Sequence, residues 1–255
     1  MKGNLRKILE DLKNSRLSIE DALQLIEQNQ KTIELGYASL DINRENRTNI
    51  PEIIFCENKS ADKILKIIKS ILSEKEIVIG SRCSEEKLKL IKRKYPKGTF
   101  SFEGKAFFIG DTKEKIPGRV GLITAGTTDM PVCEEASIVL QALGVNCEKF
   151  YDIGVAGIHR LFSRVDRINT CDILIVAAGM EGALPSVIGG LFPQPIIAIP
   201  TSIGYGTSLN GFTALFAMLT SCSPGITVVN INNGVGAASA AVKILKLLDN
   251  ESKRV

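Results

Sequence analysis

A chain of 255 residues that is 44% apolar is long enough for one large or two smaller globular domains with a substantial core. Its longest apolar runs, such as residues 173–179, fall far short of the ~20 residues that span a bilayer. The opening Met1-Lys-Gly-Asn-Leu-Arg-Lys7 leads into an amphipathic pattern and not a signal core, so a cytoplasmic protein without a membrane partner is expected. One histidine, six cysteines with no C-x-x-C pair, a formal charge of +4 and no aromatic-interleaved basic stripe argue against a zinc site, a disulfide scaffold and a nucleic-acid partner.

In chain order, Leu5, Ile8, Leu9 and Leu12 fall at helical spacing, and Ser18-Ile-Glu-Asp21 opens a second helix with Ile19, Ala22, Leu23 and Ile26 on one face. Residues 41–52 read as polar loop or short helix. A strand at 53–55, a helix over 62–72, a strand at 76–79 and a helix over 85–95 follow. A hairpin of 99–102 and 105–109 turns at Glu103-Gly104. Residues 1–115 carry 23 Lys/Arg and 18 Asp/Glu, whereas 116–255 carry 9 and 10. That contrast, with the charged turn Lys113-Glu-Lys-Ile-Pro-Gly118, places a domain boundary there: a small α+β domain over 1–115 and a second domain over 116–255.

The second domain alternates strands at 119–124, 147–153, 172–178, 195–201 and 225–231 with helices at about 131–143, 157–168, 184–191, 210–220 and 236–248. Apolar strands alternating with helices predict an α/β fold, a parallel sheet covered on both faces. Such sheets bind ligands beyond the carboxyl ends of their strands.

Each strand there runs into a loop of small and hydroxyl residues. The first carries Thr124, Gly126, Thr127, Thr128 and Asp129, the second Gly154, His159 and Arg160, and the third Gly179, Met180, Glu181 and Gly182. The fourth carries Ser202, Gly204, Tyr205 and Gly206, and the fifth Asn233 and Gly234. Hydroxyl and N–H donors at helix N-termini suit phosphate, and five such loops on one edge suggest a nucleotide. No G-x-G-x-x-G fingerprint with a ribose-binding acid ~20 residues on is present, which argues against a nicotinamide dehydrogenase.

Among reactive groups, Cys222 in Ser221-Cys-Ser-Pro-Gly225 is either a nucleophile beside a turn or a small buried hydrophobe. His159 is a general acid/base or a turn cap. Glu181 is a desolvated proton-transfer group or a carboxylate answering a helix dipole.

The segments Thr124-Ala-Gly-Thr-Thr-Asp-Met-Pro-Val132, Gly154-Val-Ala-Gly-Ile-His-Arg-Leu161, Gly179-Met-Glu-Gly-Ala-Leu-Pro-Ser186, Pro200-Thr-Ser-Ile-Gly-Tyr-Gly206 and Ser221-Cys-Ser-Pro-Gly225 closely resemble the LarB family, pyridinium-3,5-biscarboxylic acid mononucleotide synthases. Asp41, Arg44, Arg47, Pro51-Glu52 and Lys59 agree in the first domain. Residues 118–248 more distantly resemble the phosphoribosylaminoimidazole carboxylase (PurE) fold, a flavodoxin-like three-layer sheet, with Thr128-Asp129 and Ile158-His159-Arg160 standing in its nucleotide and proton loops. The purine family has no counterpart to Cys222 or to the first domain.

The resemblance implies nicotinic acid adenine dinucleotide as substrate, carboxylated at carbon 5 of its pyridinium ring and cleaved at its phosphoanhydride to release AMP, the first step toward the nickel-pincer nucleotide. It implies carbon dioxide or bicarbonate as co-substrate, no ATP, Mg2+ with Asp129 on the metal or ribose side, and a homo-octamer. Cys222 would add to the ring, and Glu181, with His159 as alternative, would take the carbon-5 proton. Arg44, Arg47 and Lys59 would close over the substrate or pack against the second domain. The competing expectations are a purine-type aminoimidazole ribonucleotide carboxylase or mutase, and a non-catalytic nucleotide sensor.

Overall fold

The computed structural model describes residues 2–28, 32–112 and 115–252. It opens with helices α1 (Lys2–Lys13) and α2 (Ile19–Gln28). The Ser18 hydroxyl accepts the Asp21 N–H at 3.0 Å and donates to the Asp21 carboxylate at 2.7 Å, which starts α2 where the sequence predicts. Strands β1 (Thr32–Glu34) and β2 (Ser39–Asp41) form an antiparallel hairpin, and the polar stretch behind it holds the short helix α3 (Arg44–Thr48).

A four-stranded sheet follows, built from β3 (Ile53–Phe55), β4 (Ile77–Ser81), β5 (Thr99–Ser101) and β6 (Ala106–Gly110) in the order β3-β4-β6-β5. β3 and β4 are parallel; the other pairs are antiparallel. Helices α4 (Ala61–Leu72) and α5 (Glu85–Lys94) pack beside it. Ile64, Ile67, Ile68 and Ile71 of α4 are buried, at the i, i+3, i+4, i+7 spacing of a single apolar face. Gly80 on β4 is required by contact: a Cβ there would lie 2.3 Å from the ring of fully buried Phe107.

Part of the charged turn expected at the boundary, residues 113–114, lies outside the described residues. β7 (Ile116–Thr124) opens the second unit. In order follow α6 (Met130–Ala142), β8 (Val145–Phe150), α7 (Ile158–Phe162), α8 (Val165–Ile168), β9 (Ile173–Ala178), α9 (Leu184–Leu191), β10 (Ile196–Pro200), α10 (Phe212–Leu219), β11 (Ile226–Val228) and α11 (Gly234–Ser252). The five strands are all parallel in the order β11-β10-β9-β7-β8, the flavodoxin-like arrangement. Central β9, Ile-Leu-Ile-Val-Ala-Ala, is buried throughout, as a strand covered on both faces must be.

Helices α6 and α11 pack on one face of this sheet and α7–α10 on the other, giving three layers. The helix expected over 157–168 is two, broken at Ser163-Arg164. The one expected from 210 begins at Phe212, because Leu209, Asn210 and Gly211 have left-handed backbones.

Helix α6 joins the two units. Cys133, Glu135, Ala136, Ser137, Ile138, Val139, Leu140 and Ala142 are all buried, because the helix packs against the parallel sheet on one side and against β4, β5 and β6 on the other. Ile77, Ile79, Ala106 and Phe108 of the first unit consequently share one apolar core with Val120, Leu122, Ile173 and Ile175 of the second. Among the described residues no helix is long and apolar enough to cross a membrane.

Candidate active site

In a sheet of this order the chain reverses direction between β7 and β9, and their carboxyl ends part to leave a crevice. A cleft of about 240 Å3 opens there, lined by the loops after β7, β8, β9 and β10. Gly126, Thr128, Gly154, Gly179 and Arg160 line it together with the apolar Val155, Leu184 and Ile203. A larger cavity of about 680 Å3 lies between the two units, lined by Asp41, Glu45, Glu52, Glu74, Glu76, Asp111 and Asp249 with three lysines. Its acidic wall repels a phosphorylated ligand and its rim holds none of the strand-end loops, so the smaller cleft is the better site.

Asp129 staples three of those loops together. One carboxylate oxygen accepts the Gly126 N–H at 2.9 Å and the other accepts the Thr201 hydroxyl at 2.6 Å, with the Gly179 N–H also donating to the carboxylate. Asp129 is only 3% exposed, and burial pushes its carboxyl above the usual range while those three donors oppose the shift. Both oxygens are thus committed within the protein. Among the described residues no group of three or more His, Cys, Asp or Glu could hold a metal ion. Through these bonds Asp129 holds the cleft's shape.

Thr124 also turns inward. It is fully buried, and its hydroxyl accepts the Asp152 N–H at 3.1 Å, tying the loop after β8 to β7. Gly154 packs over the Ala125 carbonyl, where a Cβ would come within 2.6 Å. Arg160 reaches the cleft and pairs with Asp152 at 2.5 Å, its guanidinium filling the space that Gly157 leaves. His159, next to it, is exposed and does not line the cleft.

The loops after β9 and β10 lie in contact. The Met180 N–H donates to the Ile203 carbonyl at 2.7 Å, and a Cβ on Gly179 would sit 2.3 Å from that oxygen. Met180 adopts φ 50°, turning Glu181 to the cleft rim, where no hydrogen bond or ion pair among the described residues holds its carboxylate. Glu181 is exposed in the single chain, contrary to the desolvated setting expected for it. Ser202 is clamped by Asn232, whereas Gly204, Tyr205 and Gly206 extend outward, with Tyr205 81% exposed.

Asn233 and Gly234 serve the fold. The Asn233 side chain accepts the Gly236 N–H at 2.8 Å at the start of α11, and Gly234 packs against the Val132 carbonyl of α6. Cys222 lies on the turn between α10 and β11 and, unlike Cys56, Cys83, Cys133 and Cys171, is exposed. It is therefore not a small buried hydrophobe, nor does it line its own chain's cleft. The hydroxyl of neighbouring Ser221 is 2.7 Å from that of Ser186 on α9.

In the first unit Arg47 pairs with Asp41, and Lys59 donates to the Phe55 carbonyl at 2.7 Å. Neither these nor exposed Arg44 reaches the cleft. Sequence reasoning passed over Thr201, Asp152, Asn232 and Arg82. Thr201 had a usable signal, a hydroxyl directly after the buried run of β10; the others had none.

A parallel sheet of this order, with a switch-point cleft bordered by small and hydroxyl residues, defines a flavodoxin-like α/β protein with a ligand site at its strand ends. Residues 119–254 match the family described as AIR carboxylase, and residues 32–111 match the LarB/PurE-like N-terminal domain. "Uncharacterized protein MJ0165" of Methanocaldococcus jannaschii is 39% identical over 97% of this chain and 99% of its own length. The N5-carboxyaminoimidazole ribonucleotide mutase of the same organism is 32% identical over 50% of this chain and 79% of its own. The crystal structure of a single-substitution variant of Treponema denticola PurE2 is similar at a TM-score of 0.39 and 18% identity, covering 53% of this chain and 96% of that one. The chain, with the N-terminal domain joined to the carboxylase-like one, belongs to the LarB family.

Proposed function

We propose that this protein carboxylates carbon 5 of the pyridinium ring of nicotinic acid adenine dinucleotide and hydrolyses the phosphoanhydride, giving pyridinium-3,5-biscarboxylic acid mononucleotide and AMP. The observation that carries this reading is the unheld carboxylate of Glu181 at the rim of a cleft whose other carboxylate, Asp129, is fully engaged. A single free acceptor beside Arg160 and the N–H groups of glycine loops suits a base acting on a phosphorylated, cationic substrate. The cleft's modest volume suits the mononucleotide half, with the AMP half lying outside it.

An electron-poor pyridinium does not attack carbon dioxide. Addition of a thiolate at carbon 6 forms a C–S bond and places the ring's electron pair on an enamine whose nucleophilic end is carbon 5. Carbon 5 then bonds to carbon dioxide, Glu181 takes the carbon-5 proton, and the C–S bond breaks as aromaticity returns. The net change is one ring hydrogen replaced by carboxylate, with one proton released. Hydrolysis consumes one water at the phosphoanhydride.

The thiol in this reading is Cys222, which lies outside its own chain's cleft. Phe212, Phe216 and Leu219 form an exposed apolar stripe on α10 just before it, at i, i+4 and i+7. That stripe supports a homo-oligomer in which one copy's Cys222 meets another copy's Glu181. A second reading, carboxylation or mutation of an aminoimidazole ribonucleotide, draws support from the match of residues 119–254 and needs no thiol.

The test is incubation with nicotinic acid adenine dinucleotide, Mg2+ and isotopically labelled bicarbonate, followed by mass spectrometry. AMP and a labelled dicarboxylated mononucleotide are expected, with label incorporation abolished in Cys222→Ser while dinucleotide binding survives. Full carboxylation by Cys222→Ser would remove the thiol from the mechanism. Turnover of an aminoimidazole ribonucleotide in its place would establish the second reading.

A further inference from the structure

Arg82 immediately follows β4 in the first unit, in a left-handed backbone conformation at φ 53°. Its guanidinium leaves that unit. Nε lies 3.1 Å from Oε1 of Glu135 on α6, and Nη2 donates to the carbonyl of Asn232, 150 residues further along the chain. Glu135 is 3% exposed, and its carboxylate also accepts the N–H groups of Gly234 and Val235 at the head of α11. Oε1 accepts no hydrogen bond among the described residues, so the Arg82 charge is what faces it. A buried carboxylate deprived of its cation is strongly destabilising, so the guanidinium is fixed in place electrostatically.

Fixed there, it acts through Asn232. The Asn232 N–H donates to the Pro200 carbonyl at 2.8 Å. Its side-chain oxygen accepts the Ser202 N–H at 2.9 Å, and its side-chain nitrogen donates to the Ser202 hydroxyl at 2.8 Å. One residue on, the Ile203 carbonyl holds the Met180 N–H while Ile203 itself lines the cleft, and Glu181 follows Met180. The route from Arg82 to the catalytic loop is therefore continuous: guanidinium, Asn232, Ser202, Ile203, Met180.

We infer that Arg82 is a positioning residue, through which the N-terminal unit holds the loop of residues 201–206, and with it Glu181, in place over the cleft. Its consequence for turnover rests on the function proposed above; its effect on the loop does not. The planar fork suits the task because one arm can answer Glu135 while another answers a carbonyl, a division that the single ammonium of lysine cannot reproduce.

Arg82→Lys and Asn232→Ala separate this role from simple domain docking, because the first keeps a cation for Glu135 and the second leaves the Arg82 ion pair intact. Hydrogen exchange on the ligand-free protein is the primary readout. In Arg82→Lys the Ser202 and Met180 amides are expected to exchange at least about tenfold faster, with amides of β7 and β9 unchanged. Asn232→Ala should free Met180 in the same way and carries the test alone should Arg82→Lys fail to fold. In turnover of nicotinic acid adenine dinucleotide, measured well below the melting temperature of each variant, both should lose about tenfold in kcat/KM. Wild-type exchange at Ser202 and Met180 in Arg82→Lys, or at Met180 in Asn232→Ala, would overturn the inference. A wild-type protein that does not turn over the dinucleotide, with the exchange result intact, would count against the proposed function and leave the positioning role standing.

Discussion

Thr201→Val tests whether the cleft depends on a buried ionised Asp129. Valine reproduces the shape of threonine and removes only the hydroxyl that donates to Asp129 at 2.6 Å, where Thr201 is fully buried and Asp129 is 3% exposed. Solvent has little access to replace the donor. A charge-assisted buried hydrogen bond whose acceptor is left behind costs about 3 kcal/mol. For a protein of this size that is a fall of about 6–12 °C in melting temperature.

The cost has a pH signature. Burial raises the folded Asp129 carboxyl above its ordinary value, so its contribution to stability is full at acid pH and is lost as pH rises through the folded value. Thr201 opposes that rise, and removing it lifts the folded value further. The deficit of Thr201→Val is therefore greatest where Asp129 is ionised, and it shrinks as pH falls toward the ordinary aspartate value of about 3.9. Thermal melts of both proteins in buffers from about pH 4 to about pH 8 provide the measurement. Coincident melts at the alkaline end, or a deficit that does not vary with pH, would refute the reasoning.

Glu181→Gln removes a proton acceptor at an exposed position, so the melting temperature should hold to within about 0.5 kcal/mol of stability while the thiol adduct accumulates in a mass spectrum of protein with substrate. Normal turnover with no adduct would take Glu181 out of the base role. Gly179→Ala puts a Cβ 2.3 Å from the Ile203 carbonyl and 2.6 Å from the Thr201 hydroxyl, which should cost about 1–3 kcal/mol and loosen the Met180 N–H. Gly190→Ala, with nothing within 4 Å, is the control and should stabilise α9 by about 0.5–1 kcal/mol; equal melts for the two variants would contradict the packing of the two loops.

The second unit was legible because its inner strands β9 and β10 are apolar on both faces. Ile173-Leu-Ile-Val-Ala-Ala178 has no other use than the centre of a covered sheet, and the glycine after each strand marks the chain's exit. The β1–β2 hairpin escaped notice because each strand is three residues long and largely exposed, leaving little alternation to read. Glycine in the five loops pointed correctly to the sheet edge but not to its use. Gly179 lets two loops touch beside the cleft, while Gly234 lets α11 approach α6. Spacing along the chain cannot tell those apart, because both demand the absence of a Cβ. For the same reason Thr124, Asn233 and Asp129 were rightly placed at strand ends and helix starts, yet their polar atoms turn inward to the protein.

By itself the sequence determined the alternation of strands and helices, the family and the edge of the sheet where chemistry can occur, since each is written in local periodicity and in contiguous segments. The tertiary structure alone decided which polar atoms remain free there. Asp129 is occupied by Gly126, Thr201 and Gly179, whereas Glu181 is not, and that contrast exists only once β7, β9 and β10 lie side by side. The span from Arg82 to Asn232 is the extreme case. Nothing in either neighbourhood encodes it, because its cause is the docking of one folded unit on α6 of the other.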